Sequence, residues 1–106
     1  MSGAPTLINV FTVLPANQPR LIALLTRATE GWVVQAPGFL SATLHRGVDG
    51  TKVTMVSQWR GIEDYQAMRR DPGPSTLFEE ILTIATFEPG IYEAVRAFAP
   101  TGNKTI

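Results

Sequence analysis

Two hydrophobic periods alternate along the chain. Residues 6–14 (TLINVFTVL) are rich in β-branched and aromatic side chains and end at Pro15, which predicts a strand. Leu7, Phe11 and Val13 fall on one face of it, and Ile8, Val10 and Leu14 on the other. A strand apolar on both faces belongs in the middle of a sheet with something packed on each side. Residues 17–36 switch to helical spacing. There Leu21, Leu25, Ala28 and Trp32 recur every three or four positions, with Leu24 and Ala36 beside them. Asn17 is placed to cap the start of this helix, and Pro37-Gly38 stops it.

Residues 39–46 and 51–60 predict two further strands, joined by a turn at Gly47-Val48-Asp49-Gly50. In the second of them Val53, Met55, Ser57 and Trp59 share one face. Lys52, Thr54, Gln58 and Arg60 share the other, interrupted by Val56. Residues 62–70 form a short helix with Ile62, Tyr65 and Met68 or Arg69 along one side, broken by Asp71-Pro72-Gly73-Pro74. Ser75 caps another helix, with Glu79 near the position a capping box wants. That helix buries Leu77 or Phe78, Ile81, and Ile84 or Ala85. A Pro89-Gly90 kink then leads into a last strand at 91–98.

The order β-α-β-β-α-β predicts an α+β, ferredoxin-like fold with an antiparallel sheet. Such a sheet carries helices on one face only. The first strand is apolar on both faces, so the helix-free face needs a cover as well. The simplest cover is the same face of a second copy, giving a homodimer.

Composition narrows the function classes. The 106 residues fit one domain, with an ordered core at about 6–98 and mobile ends expected outside it. Nine basic residues balance nine acidic ones, which gives no electrostatic reason to bind nucleic acid or an anionic membrane. The absence of cysteine excludes disulfides, a thiolate nucleophile and Cys-based metal sites. There is no GxGxxG and no GK[ST] loop to cradle a phosphate. His45 is the single histidine, on a strand end before a turn, and makes neither a metal site nor a supported Ser-His-Asp arrangement. The opening residues Met1-Ser2-Gly3-Ala4-Pro5 carry no signal-peptide pattern, so a cytoplasmic protein is expected.

Several short motifs, in order, resemble the antibiotic biosynthesis monooxygenase family of the dimeric α+β barrel superfamily. They are Ile8-Asn9-Val10-Phe11, Pro37-Gly38-Phe39, Asp49-Gly50-Thr51, Ser57-Gln58-Trp59 and Phe87-Glu88-Pro89-Gly90-Ile91-Tyr92. The resemblance spans about residues 6–97. It implies a monooxygenase that needs no flavin, heme or metal, with molecular oxygen as co-substrate. The implied substrate is an aromatic, polyketide-like anthrone or phenol. The chemistry would be deprotonation of that substrate and attack of its carbanion on oxygen, in a dry pocket that orients it and stabilises the developing oxyanion.

Two catalytic candidates transfer by motif. Asn9 matches the first-strand asparagine, and Trp59 matches the tryptophan that closes the third strand. The family's polyketide enzymes usually carry an asparagine four residues before that tryptophan; this chain has Met55, which cannot donate a hydrogen bond. Met55, Phe11, Tyr65, Met68 and Phe78 are candidate substrate-binding residues. Each of these positions also has a plainer reading. Trp59, Met55, Tyr65, Met68 and Phe78 suit core packing, Asn9 suits a structural hydrogen bond, and Arg69-Arg70 suits a solvated helix end that favours the local dipole. Met55 keeps open a non-catalytic dimer that binds a small hydrophobic, aromatic ligand. The family's heme-degrading branch uses a helical histidine, which His45 on its strand does not match.

Overall fold

The computed structural model describes residues 4–71 and 75–101. The elements are β1 (Thr6–Val13), α1 (Gln18–Gly31), β2 (Phe39–Arg46), β3 (Lys52–Trp59), α2 (Ile62–Arg70), α3 (Ser75–Ile84) and β4 (Ala85–Tyr92). Short 3-10 turns at Pro15–Asn17 and Val33–Gln35 flank α1. The sheet order is β2-β3-β1-β4, with all three pairings antiparallel, as the ferredoxin-like reading requires.

The β2–β3 hairpin turns where its glycines allow it. Gly50 takes φ +89°, a conformation that costs other residues, and Asp49 Oδ1 accepts from both the backbone N–H and the hydroxyl of Thr51 at 2.9 and 2.8 Å. Gly38, at φ +86°, enters β2 directly against Asp64 of α2, leaving no room for a side chain. The period-two pattern then decides what is buried. Leu7, Phe11 and Val13 of β1 and Val53, Ser57 and Trp59 of β3 are buried on the helix-covered face, whereas Ile8, Val10 and Val56 on the opposite face are only half-buried.

Several boundaries depart from the sequence reading. The first helix stops at Gly31, not at residue 36, because Trp32 leaves helical geometry (φ −139°, ψ −61°). Asn17 occupies the capping position, but its backbone is already helical and its side chain makes no capping bond. Gln18 anchors the helix start instead: its buried amide donates to the carbonyls of Gly47 and Lys52, each at 3.0 Å. Ile62 is exposed, leaving Tyr65 as the buried residue of α2. The last strand is Ala85–Tyr92 rather than 91–98. Pro89 lies within it, opposite Asn9, and is tolerated because β4 is an edge strand. Residues 93–101 follow without strand pairing and are exposed. Helix α3 begins with Ser75 itself, so a residue-75 cap and the Pro72-Gly73-Pro74 break fall outside the described structure.

Candidate functional site

A cavity of about 370 Å³ opens between the helix-covered face of the sheet and the three helices. That volume is at the lower end for small-molecule sites, which run from about 300 to 1,000 Å³. All seven sequence candidates line it: Asn9, Phe11, Met55, Trp59, Tyr65, Met68 and Phe78. The sheet supplies the floor by register. Asn9 of β1 sits directly opposite Met55 of β3, and Trp59 follows Met55 two pleats along on the same face. Helix α2 contributes Tyr65 and Met68 above them, and α3 contributes Phe78.

The cavity has two aromatic walls. On one side Trp59, 1% exposed, meets Phe39 and Tyr65 edge-to-face at centroid distances of 5.5 and 5.6 Å. On the other, Phe11 stacks on Phe87 at 5.2 Å, and Phe78 meets Phe87 edge-on at 5.5 Å. Rings in these arrangements are held by quadrupole attraction beyond their burial and keep their planes fixed. A flat, apolar guest fits such walls by shape.

Polar groups in the cavity are few. The indole N–H of Trp59 donates to the hydroxyl oxygen of buried Ser57 at 3.1 Å. Trp59 therefore presents ring surface to the cavity, with its one donor already engaged. Asn9 Oδ1 is buried with no hydrogen-bond partner. An unmet acceptor of this kind costs about 1–3 kcal/mol. Among the described residues, Asn9 Oδ1 is the buried side-chain polar atom left without a partner.

Other lining residues, among them Phe87, Ser57 and Arg69, were not candidates in the sequence. Ser57 appears in the motif only, although it shares a strand face with Trp59 two positions on, which is the signal for their bond. Arg69 is an exposed helix end, as expected, and it has further partners. Its guanidinium donates to the Tyr65 hydroxyl at 2.8 Å and lies over the rings of Tyr65, Phe78 and Phe87, 5.8–6.0 Å from each centroid. The signal for the Tyr65 contact was the i, i+4 spacing on one helix. His45 is exposed and pairs with Thr54 on the opposite sheet face, away from the cavity. Among the described residues, no group of three or more His, Asp or Glu is placed to hold a metal ion, and no helix is long and apolar enough to cross a membrane.

The sequence and fold have known relatives. The family model described as antibiotic biosynthesis monooxygenase matches residues 6–82. Tetracenomycin-F1 monooxygenase of Streptomyces glaucescens is 36% identical over 96 residues, spanning 91% of this chain and 86% of that protein. The monooxygenase ActVA-Orf6 of Streptomyces coelicolor, solved with nanaomycin D, is similar at a TM-score of 0.79 and 28% identity, over 93% of this chain and 94% of that one. SnoaB of Streptomyces nogalater, described as a cofactor-independent oxygenase, shares the fold at a TM-score of 0.76 and 24% identity, over 93% and 99% of the two chains.

Proposed function

The chain belongs to the antibiotic biosynthesis monooxygenase family, and from that premise we propose that it oxidises a flat, phenolic anthrone of the aromatic polyketide type with molecular oxygen, using no flavin, heme or metal. The observation that carries this reading is the aromatic-walled cavity with one buried, unpartnered amide oxygen, that of Asn9, in its floor. Relatives named as a tetracenomycin monooxygenase and a cofactor-independent oxygenase support both the substrate class and the absence of a cofactor.

In this mechanism the anthrone methylene loses a proton, helped by its conjugated phenol system, to give a stabilised carbanion. The carbanion carbon bonds to oxygen, with electrons passing from substrate to O2. The resulting hydroperoxide loses water, so one oxygen atom ends in the new carbonyl and the other in water. The residues of this chain contribute placement and solvation. Trp59 and the Phe11–Phe87 wall hold the ring system flat, and Met55, Met68 and Phe78 keep water out. The Asn9 amide pairs with the substrate's phenol or enol oxygen and orients the reacting carbon.

The test is oxygen uptake with dithranol under ¹⁸O₂. Enzyme-dependent uptake and one labelled atom in the quinone are expected; uptake no faster than in buffer would leave a binder without turnover. Met55 is the feature that favours that second reading, and Met55→Asn addresses it. If the chain has lost a polar contact, asparagine raises dithranol oxygenation. If Met55 is shaped for a more apolar substrate, it lowers activity on that substrate.

We also propose a homodimer assembled through the helix-free sheet face. Half-buried Ile8, Val10 and Val56 on that face support it, as do Val95 and Phe98 beyond β4, which are 91% and 84% exposed. Sedimentation at micromolar concentration should give twice the chain mass; a monomer would rule it out.

A further inference from the structure

Arg69 is the unusual charge of the site. The charged residues lining the cavity are Arg69, Arg70 and Asp71, all at its α2 end, so the mouth carries two cations and one anion while the interior is apolar. Arg69 and Arg70 also line a second depression, together with Tyr65, Gln66, Pro89, Gly90 and Ile91, which opens between α2 and β4. Arg69 thus stands where the cavity gives out toward solvent. A ligand longer than the cavity would emerge beside it.

Among the described residues, the guanidinium is held there by uncharged partners. Three ring faces and the Tyr65 hydroxyl fix its position, and none of these partners carries a formal charge. Tyr65 is 7% exposed and Phe78 and Phe87 are half-buried, so the platform under the guanidinium belongs to the core. The hydroxyl takes a bond from Nη1, which leaves the remaining N–H groups of a five-donor fork to be satisfied. A fork pre-oriented by stacking loses less freedom when it binds, and its geometry matches the two oxygens of a carboxylate.

We propose that Arg69 is a specificity-determining residue that selects flat aromatic ligands bearing an anionic group, a carboxylate above all, at the end nearest the cavity mouth. This rests on the proposed oxygenase reading for the nature of the ring system, and adds to it the charge of the substrate and the direction in which it enters. The uncharged end lies over Asn9 and Met55, and the anionic end lies at α2.

Binding without turnover separates the two. The probes are 1,8-dihydroxyanthraquinone and its 3-carboxylate, titrated by calorimetry into the full chain at pH 6 and low salt. The wild type should bind the carboxylate about threefold to fivefold more tightly than the parent quinone, as one charge-assisted pair with an exposed guanidinium allows. Arg69→Met should abolish that preference, read as the ratio of the two affinities within the same variant, and its binding of the parent quinone reports that the cavity is intact. Arg69→Lys should retain part of it, and Arg70→Met nearly all of it. Equal affinity of the wild type for the two probes, a preference that survives Arg69→Met, or binding of neither probe would each overturn the proposal. Absence of dithranol oxygenation alongside an intact carboxylate preference would sink only the oxygenase reading; oxygenation without the preference would sink only this one.

Discussion

The helix-covered core has two halves built on different principles. One half joins Phe11, Val13, Leu21, Leu24, Leu25, Val53, Ile81 and Ala85 beneath α1 and α3. The other joins only Leu7, Trp59 and Tyr65 beneath α2, with Phe39 and Met68 at its margin. In the first, branched aliphatic chains make up most of the buried members, with Phe11 the ring among them. In the second, large rings meet edge-on in contact. The cavity lies along the seam and takes its lining from both. Helix α1 buries four residues and α2 only one. One half therefore carries most of the aliphatic packing and the other is mainly aromatic, while both shape the opening.

The sharpest way to break this comparison is Trp59→Ala. Removing a fully buried indole costs about 4 kcal/mol of stability and, if stacking holds the substrate, the larger part of activity. Trp59→Phe, which keeps a ring, allows activity to be measured on folded protein. Denaturant titration and initial oxygen uptake should show both losses, and a Trp59→Ala enzyme with full turnover would leave the aromatic half a purely structural one.

Leu21→Ala, in the aliphatic half, should cost about 3 kcal/mol of stability. Its activity per folded molecule should stay near wild type. A specific loss of turnover would erase the division of labour.

Asn9→Ala should cut oxygenation by about fivefold, the value of one hydrogen bond of about 1 kcal/mol, and less than the loss at Trp59. Its effect on the ligand-free protein runs the other way. With no partner for Oδ1, the substitution should leave melting temperature unchanged or raise it. A fall in melting temperature would mean that the amide is structural.

Asp49, in the hairpin turn outside both halves, should show the smallest effect. Its pKa is lowered mainly by the Thr51 backbone N–H, then by the Thr51 hydroxyl. A depressed carboxylate contributes stability that is present above its unfolded pKa and lost as pH falls through the folded one. The melting-temperature gap between wild type and Asp49→Ala should be small at neutral pH and close below the ordinary aspartate range, with activity untouched.

Much of this was legible in the sequence because it rests on local period. The strand at 39–46 was located to the residue, since alternation and the turn glycines both mark it. The floor of the site followed too, because Met55, Ser57 and Trp59 share a face by parity alone. What was missed depends on neighbours distant in sequence. Pro89-Gly90 looked like a kink because nothing local says that this strand will be an edge. The first helix looked longer because Trp32 and Val33 continue its apolar pattern, while their backbone turns away. Arg69 is exposed, as its place at a helix end suggested, but its ring contacts were hidden because Phe78 and Phe87 reach it only after α3 and β4 have folded back.

Gln18 sets an order in time. The carbonyls that hold its amide lie 29 and 34 residues further along the chain and come together only when the β2–β3 hairpin closes. On the ribosome, α1 is synthesised well before its anchor exists, and it waits as an unattached amphipathic segment until the hairpin has emerged. We propose that docking of α1 follows the main folding barrier. Gln18→Leu should accordingly speed unfolding and leave the folding rate almost unchanged.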